Sequence, residues 1–141
     1  MTSIVCVPQK IAENFYYPAS WVCISITSTE DKIANITCEH GNIKGLLRVH
    51  FHDIDGPANG MNLITMTQAQ LIAVFIKKWY NKVPLILVHC HAGVSRSAAV
   101  VAAATKYFTG NDKIYFDEFC PNMTVYRKVY EALSESYTSD N

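Results

Sequence analysis

Cys90 and Arg96 stand six positions apart in the stretch HCHAGVSRS, residues 89–97, with Gly93 between them. A cysteine thiolate is a nucleophile, and an arginine guanidinium is a planar fork that matches two oxygens of a phosphate. Gly93 lets the backbone curl so that successive N–H groups face inward as a nest. The apolar run before the loop reads as a strand and the alanine-rich run after it as a helix. Such a helix start offers unpaired N–H groups and the positive end of its dipole. Cys90 is then expected at the floor of an anion cradle, where dipole and guanidinium favour its thiolate, poised to attack phosphorus.

Other motif readings fail on particular residues. A Walker loop ends in Gly-Lys before Ser or Thr, whereas Arg96 precedes Ser97 here. A hydrolase nucleophile elbow needs G-x-S-x-G, but Ser97 stands where its last glycine belongs. A zinc site drawing on His50, His52, His89, Cys90 and His91 lacks any C-x-x-C, and neighbours on a strand end diverge. No metal is expected. Attack on a phosphomonoester also requires a proton for the leaving oxygen. The segment HFHDIDGP, residues 50–57, supplies Asp53 and Asp55, with His52 as a weaker third donor. Asp55, in a D-G-P setting, reads equally as a turn former.

The elements that must position these groups follow from pattern. Ser3 to Val7 reads as a strand stopped by Pro8, Trp21 to Thr27 as a second, and Leu46 to His52 as a third. Thr67 with Gln70 suggests a capped helix start, with Leu71, Val74, Phe75, Ile76 and Trp79 on its apolar face. Pro84 to Val88 is the strand that delivers Cys90, and Ser97 to Phe108 the helix beyond, ended by Gly110-Asn111. Helices over Asp112 to Phe119 and Thr124 to Tyr137 flank a CPN break, with Tyr115, Phe116, Phe119, Tyr126 and Tyr130 expected in the core. Early strands with interleaved helices predict a single α/β domain over residues 1–141, a small central, mostly parallel sheet flanked by helices.

Composition narrows the partners. The chain has 141 residues, half of them hydrophobic, and its 12 basic and 12 acidic residues cancel. That balance lacks the basic footprint of a nucleic-acid binder, and no apolar run approaches the roughly 20 residues of a membrane helix. Neither nucleic acid nor a membrane is expected as a partner. The N-terminus MTSIVCVPQK lacks a signal-peptide pattern, and five scattered cysteines (Cys6, Cys23, Cys38, Cys90, Cys120) read as free thiols. A cytoplasmic monomer is the expectation.

The string His89-Cys90-x-x-Gly93-x-Ser95-Arg96-Ser97 resembles the signature of the cysteine-based protein tyrosine phosphatases, in particular the dual-specificity branch. The resemblance runs from about Leu46 to the last helix and includes Pro121-Asn122. It implies a phosphocysteine intermediate on Cys90, with Arg96 clamping the phosphate oxygens and no cofactor. By the same resemblance His89 supports the loop and Ser97 assists the sulfur as it leaves. His91, Ala92, Gly93, Val94 and Ser95 line the phosphate site, largely through backbone N–H groups; His91 departs from any single family preference, and a role in tuning substrate choice is expected of it. Aligning LLRVHFHD on the family's strand favours Asp53 over Asp55 as the acid. Asn122 resembles an asparagine that steadies the acid or phosphate loop, and reads equally as a helix N-cap.

The implied substrate is a phosphorylated protein, phosphotyrosine first and phosphoserine or phosphothreonine beside it, or a small phosphomonoester. The same cradle serves other chemistries. Rhodanese-like sulfurtransferases also seat a cysteine over an anion nest, without needing Asp53 or the S-R-S ending. A pseudophosphatase module that binds phosphate without turnover would keep the loop but not the full Cys90, Arg96 and Asp53 set.

Overall fold

The computed structural model describes residues 1–36 and 41–135. Cys38 and the expected end of the last helix at Tyr137 lie outside the described residues. In chain order the elements are β1 (Ser3–Pro8), α1 (Gln9–Ala12), β2 (Tyr17–Thr27), β3 (Gly41–His50), α2 (Met66–Trp79), β4 (Leu85–Cys90), α3 (Arg96–Thr109), α4 (Lys113–Glu118) and α5 (Met123–Ser134). The strands form one sheet in the order β1-β4-β2-β3, and every pairing is parallel.

The central place of β4 explains its unbroken apolar sequence, because parallel strands covered on both faces have no solvent side to alternate with. All six of its residues are buried. On one face Val22, Ile24, Ile26, Ile86, Val88 and Cys90 meet α2, α3 and α5 in the main core. On the other, Trp21, Cys23, Leu85 and Leu87 pack with Ala12, Phe15 and Ile36. Helix α3 contributes Ala98, Ala99, Ala102, Ala103 and Ala104, all fully buried. Such small side chains let the helix lie close to the sheet. Gly110 closes α3 with φ +82°, the left-handed stop expected of it.

Four local expectations are corrected. The capping box of α2 is Thr65 with Gln68, two residues earlier than Thr67 and Gln70. That helix buries Ala69, Ile72, Ala73 and Ile76, leaving Leu71 and Val74 about half exposed. Small residues, which let a helix approach its neighbours, mark the inner face better than large ones do. The third strand begins at Gly41 and ends at His50; the N–H of Phe51 still donates to the Thr27 carbonyl, but that of His52 turns to Asn62. Among the aromatics expected in the core, Tyr115, Tyr126 and Tyr130 pack against it only in part and Phe116 is exposed. Helix α5 instead buries Val125, Val129, Ala132 and Leu133.

Candidate active site

The alternation of β4 decides what each loop residue can reach. Cys90 lies on the helical face, and His89, one residue earlier, on the opposite face beside its cross-strand neighbour Ser25. His89 is fully buried, with Nδ1 3.3 Å from the carbonyl of Cys90 and Nε2 2.6 Å from Ser25 Oγ. A carbonyl only accepts, so Nδ1 carries the proton and Ser25 donates to Nε2. Burial holds the His89 pKa below its ordinary value, keeping the ring neutral. The neutral ring thus ties the last residue of β4 to β2.

Cys90 is 2% exposed at the base of the loop. Its Sγ accepts from the Gly93 N–H at 3.3 Å and lies 3.1 Å from Ser97 Oγ. Gly93 has φ +77°, and a Cβ there would meet Pro8 N at 2.5 Å and Val7 C at 2.6 Å. Both the curl and the contact with β1 therefore require glycine. The Gln9 N–H donates to the His91 carbonyl at 3.2 Å, a second tie to the end of β1. Among the described residues no backbone hydrogen bond uses the N–H of Ala92, Val94, Ser95 or Arg96. Ser95, the N-cap of α3, makes no side-chain cap either. Free backbone donors in a loop that opens a helix are what an anion site requires.

Arg96 is 5% exposed. Its Nη1 donates to the Phe51 carbonyl at 2.7 Å and to Ser28 Oγ at 3.1 Å, and its buried Nε–H has no partner among the described residues. An orphaned buried donor costs about 1–3 kcal/mol. An anion in the cradle would take that hydrogen bond. Cys6 lies across on β1, where burial and then the charge of Cys90 push its thiol up to about 11.

The second half of the site comes from the loop after β3. Asp53 Oδ1 accepts from Ser95 Oγ at 2.8 Å and from Asn122 Nδ2 at 2.9 Å, which brings its carboxylate to the cradle rim. Among the described residues Asp55 hydrogen-bonds only through its backbone carbonyl, which takes the Thr124 hydroxyl at 2.6 Å. Asn122 is both the N-cap of α5 and a hydrogen-bond partner of the loop after β3. Its Oδ1 caps α5 by accepting from the N–H groups of Thr124 and Val125, and its Nδ2 also donates to the Ile54 carbonyl. The N–H groups of Cys120 and Asn122 donate to Val94 and Ser95, joining the CPN turn to the cradle. A cavity of about 640 Å³ opens between Asp53–Ala58 and Cys120–Met123.

The histidines considered for zinc do not converge. His50 is bonded to Thr27, His52 to Glu30 and Asn62, and His89 to Ser25. His91 is exposed and lines a separate cavity of about 510 Å³ with Pro8, Gln9, Lys10, Ile11 and Glu13. Sequence reasoning missed Ser25, Ser28 and the Phe51 carbonyl. The polar Ser25 inside the apolar strand WVCISIT was the one available signal; a backbone carbonyl leaves none.

No protein-family model matches the sequence, and no curated protein matches it. Solved structures do. Human tyrosine phosphatase-like serine/threonine/tyrosine-interacting protein superposes with a TM-score of 0.62 at 19% identity, covering 91% of this chain and 89% of that one. Human DUSP28 superposes at 0.56 with 14% identity, over 94% and 92% of the two chains. The chain has the dual-specificity phosphatase fold. PTPMT1, solved in complex with PI(5)P, also matches, with a TM-score of 0.56 at 16% identity, over 93% and 90% of the two chains. In this dual-specificity phosphatase fold the loop after β4 meets the loop after β3, where Ser95 Oγ donates to Asp53 Oδ1.

Proposed function

We propose that residues 1–141 form a single catalytic domain that hydrolyses phosphomonoesters through a phosphocysteine on Cys90, with phosphotyrosine proteins as the first substrate class and phosphoserine or phosphothreonine beside it. The observation that carries this reading is the unpartnered Nε–H of buried Arg96, six residues along the same loop from a sulfur that already accepts from the Gly93 N–H. The thiolate of Cys90 attacks phosphorus, and the ester bond breaks as Asp53 gives its proton to the leaving oxygen. Water then attacks phosphorus, its proton passes to the Asp53 carboxylate, and the thiolate departs with Ser97 Oγ beside it. The guanidinium, the loop N–H groups and the start of α3 supply the positive field on the equatorial oxygens, so no metal is needed.

Hydrolysis of an aryl phosphate in EDTA tests this, comparing wild type with Cys90→Ser, Asp53→Asn and Asp55→Asn. Loss at Cys90→Ser and Asp53→Asn, with Asp55→Asn close to wild type, is expected. Turnover surviving Cys90→Ser, or needing added metal, overturns the mechanism. Saturable phosphotyrosine binding without turnover identifies a binding module, and thiosulfate:cyanide transfer a sulfurtransferase.

A further inference from the structure

None of residues 53–63 is buried, so the loop carrying Asp53 has no side chain anchored in the core. Polar contacts must place it. On its first residues these are Ser95 and Asn122, and at its neck they converge on one buried ring. His52 is 5% exposed, and its Nδ1 accepts from the Asn62 N–H at 2.8 Å. Because a backbone N–H only donates, Nδ1 bears a lone pair. Nε2 lies 2.6 Å from Glu30 Oε1, so the proton sits there. The main chains pair as well, His52 N–H donating to the Asn62 carbonyl at 2.7 Å. His52 therefore closes the segment from 52 to 62 at its base, and Asp53 is the first residue inside the closure. Next to His52 is Phe51, whose carbonyl holds Arg96, and Glu30 follows two residues after Ser28, which holds it too.

We propose that His52 is a positioning residue for proton donation: its neutral, Nε2-protonated ring pinches the neck of the loop and holds the Asp53 carboxyl over the cradle. The role rests on the phosphatase reading above. It concerns only the proton delivered to the leaving oxygen, so its loss must appear where that proton matters. Aryl phosphates with acidic phenols leave without help, and those with weakly acidic phenols need the acid. General damage to the fold would slow both alike.

Two substitutions separate the links of the ring. Asn places its Oδ1 near the position of Nδ1, so His52→Asn keeps an acceptor for Asn62 and drops Glu30. Gln places its amide nitrogen near Nε2, so His52→Gln keeps the donor to Glu30 and drops Asn62. The assay is kcat on phenyl phosphate and p-nitrophenyl phosphate, with inhibition by inorganic phosphate and thermal melts as controls. His52→Gln is expected to lose roughly 10–100-fold on phenyl phosphate, part of the 10²–10⁴ that general acid catalysis supplies, and far less on p-nitrophenyl phosphate. Phosphate inhibition should hold, and His52→Asn should recover the rate to within about threefold of wild type on the same scale. Equal losses on both substrates, or no difference between the Asn and Gln variants, overturn the role. Wild-type turnover that does not depend on Cys90 overturns the phosphatase reading, and this role with it.

Discussion

Replacing Arg96 by lysine keeps the charge and removes the fork. The side chain is 5% exposed, so the change occurs out of solvent. Lysine cannot at once donate to the Phe51 carbonyl, to Ser28 Oγ and along the Nε edge that faces no protein acceptor. Leaving the carbonyl of fully buried Phe51 unpaired costs about 1–3 kcal/mol. At this size that lowers the melting temperature by roughly 3–10 °C. In the transition state the loss is one aligned donor on the equatorial oxygens, worth about 2.7–4 kcal/mol, or a fall of roughly 10²–10³ in kcat/KM. Steady-state hydrolysis of p-nitrophenyl phosphate measures the second effect and a thermal melt the first. A melt in the presence of inorganic phosphate adds the link between them. Phosphate should raise the wild-type melting temperature, because it satisfies the orphaned Nε–H, and should raise that of Arg96→Lys much less. A variant within tenfold of wild type, with an undiminished phosphate shift, would refute the assignment of the Nε edge to the anion.

Asn122→Ala should destabilise the fold by about 1 kcal/mol for the lost α5 cap, and should also slow hydrolysis of phenyl phosphate as Asp53 loses a partner; Asn122→Asp should keep the cap but set an oxygen against Asp53 Oδ1 and the Ile54 carbonyl, slowing the same reaction and lowering the melt as well. Gly93→Ala places a Cβ 2.5 Å from Pro8 N at φ +77°, so a stability loss of at least ~1–2 kcal/mol and loss of phosphate binding are expected by denaturant melt and phosphate titration. Cys6 and Cys23 have pKa values pushed up from the usual 9.0 to about 11 and about 12, by burial first in each case. Their thiols stay protonated in the fold while the unfolded chain releases those protons, so stability is constant below pH 9 and falls as pH rises toward 12. Urea melts from pH 8 to 11 should show the decline, with a shallower slope in Cys23→Val.

The strand–loop–helix around Cys90 was legible because three signals agree there: an apolar run too short for a helix, a glycine where the backbone must curl, and an alanine-rich run beyond. Placement of α3 and its glycine stop followed from the same signals. The register of α2 was not legible, because its inner face is marked by Ala69 and Ala73 while Leu71 and Val74 point outward. The union of the two loops was visible only as a chemical need for an acid. Nothing local in HDID distinguishes Asp53 from Asp55; the distinction is made by Ser95 and Asn122, 42 and 69 residues away. The supporting contacts of Arg96 were hidden for a similar reason, since one of them is a main-chain carbonyl.

The order β1-β4-β2-β3 has a consequence for how this site comes into being. β1 is made first yet, among the described residues, pairs only with β4, so it has no sheet neighbour there until the chain has reached Leu85–Cys90. The wall that Gly93 leans on, Val7 and Pro8, is thus held by the strand that carries the cradle itself. Neither half can be ordered without the other, and the pairing spans most of the chain, which makes it a slow step of assembly. Loosening runs the same way in reverse. An edge strand detaching at β1 would relax the loop while β2, β3 and the helices stayed packed, so phosphate binding should fade ahead of the global melt. The molecule would lose its chemistry before it lost its shape.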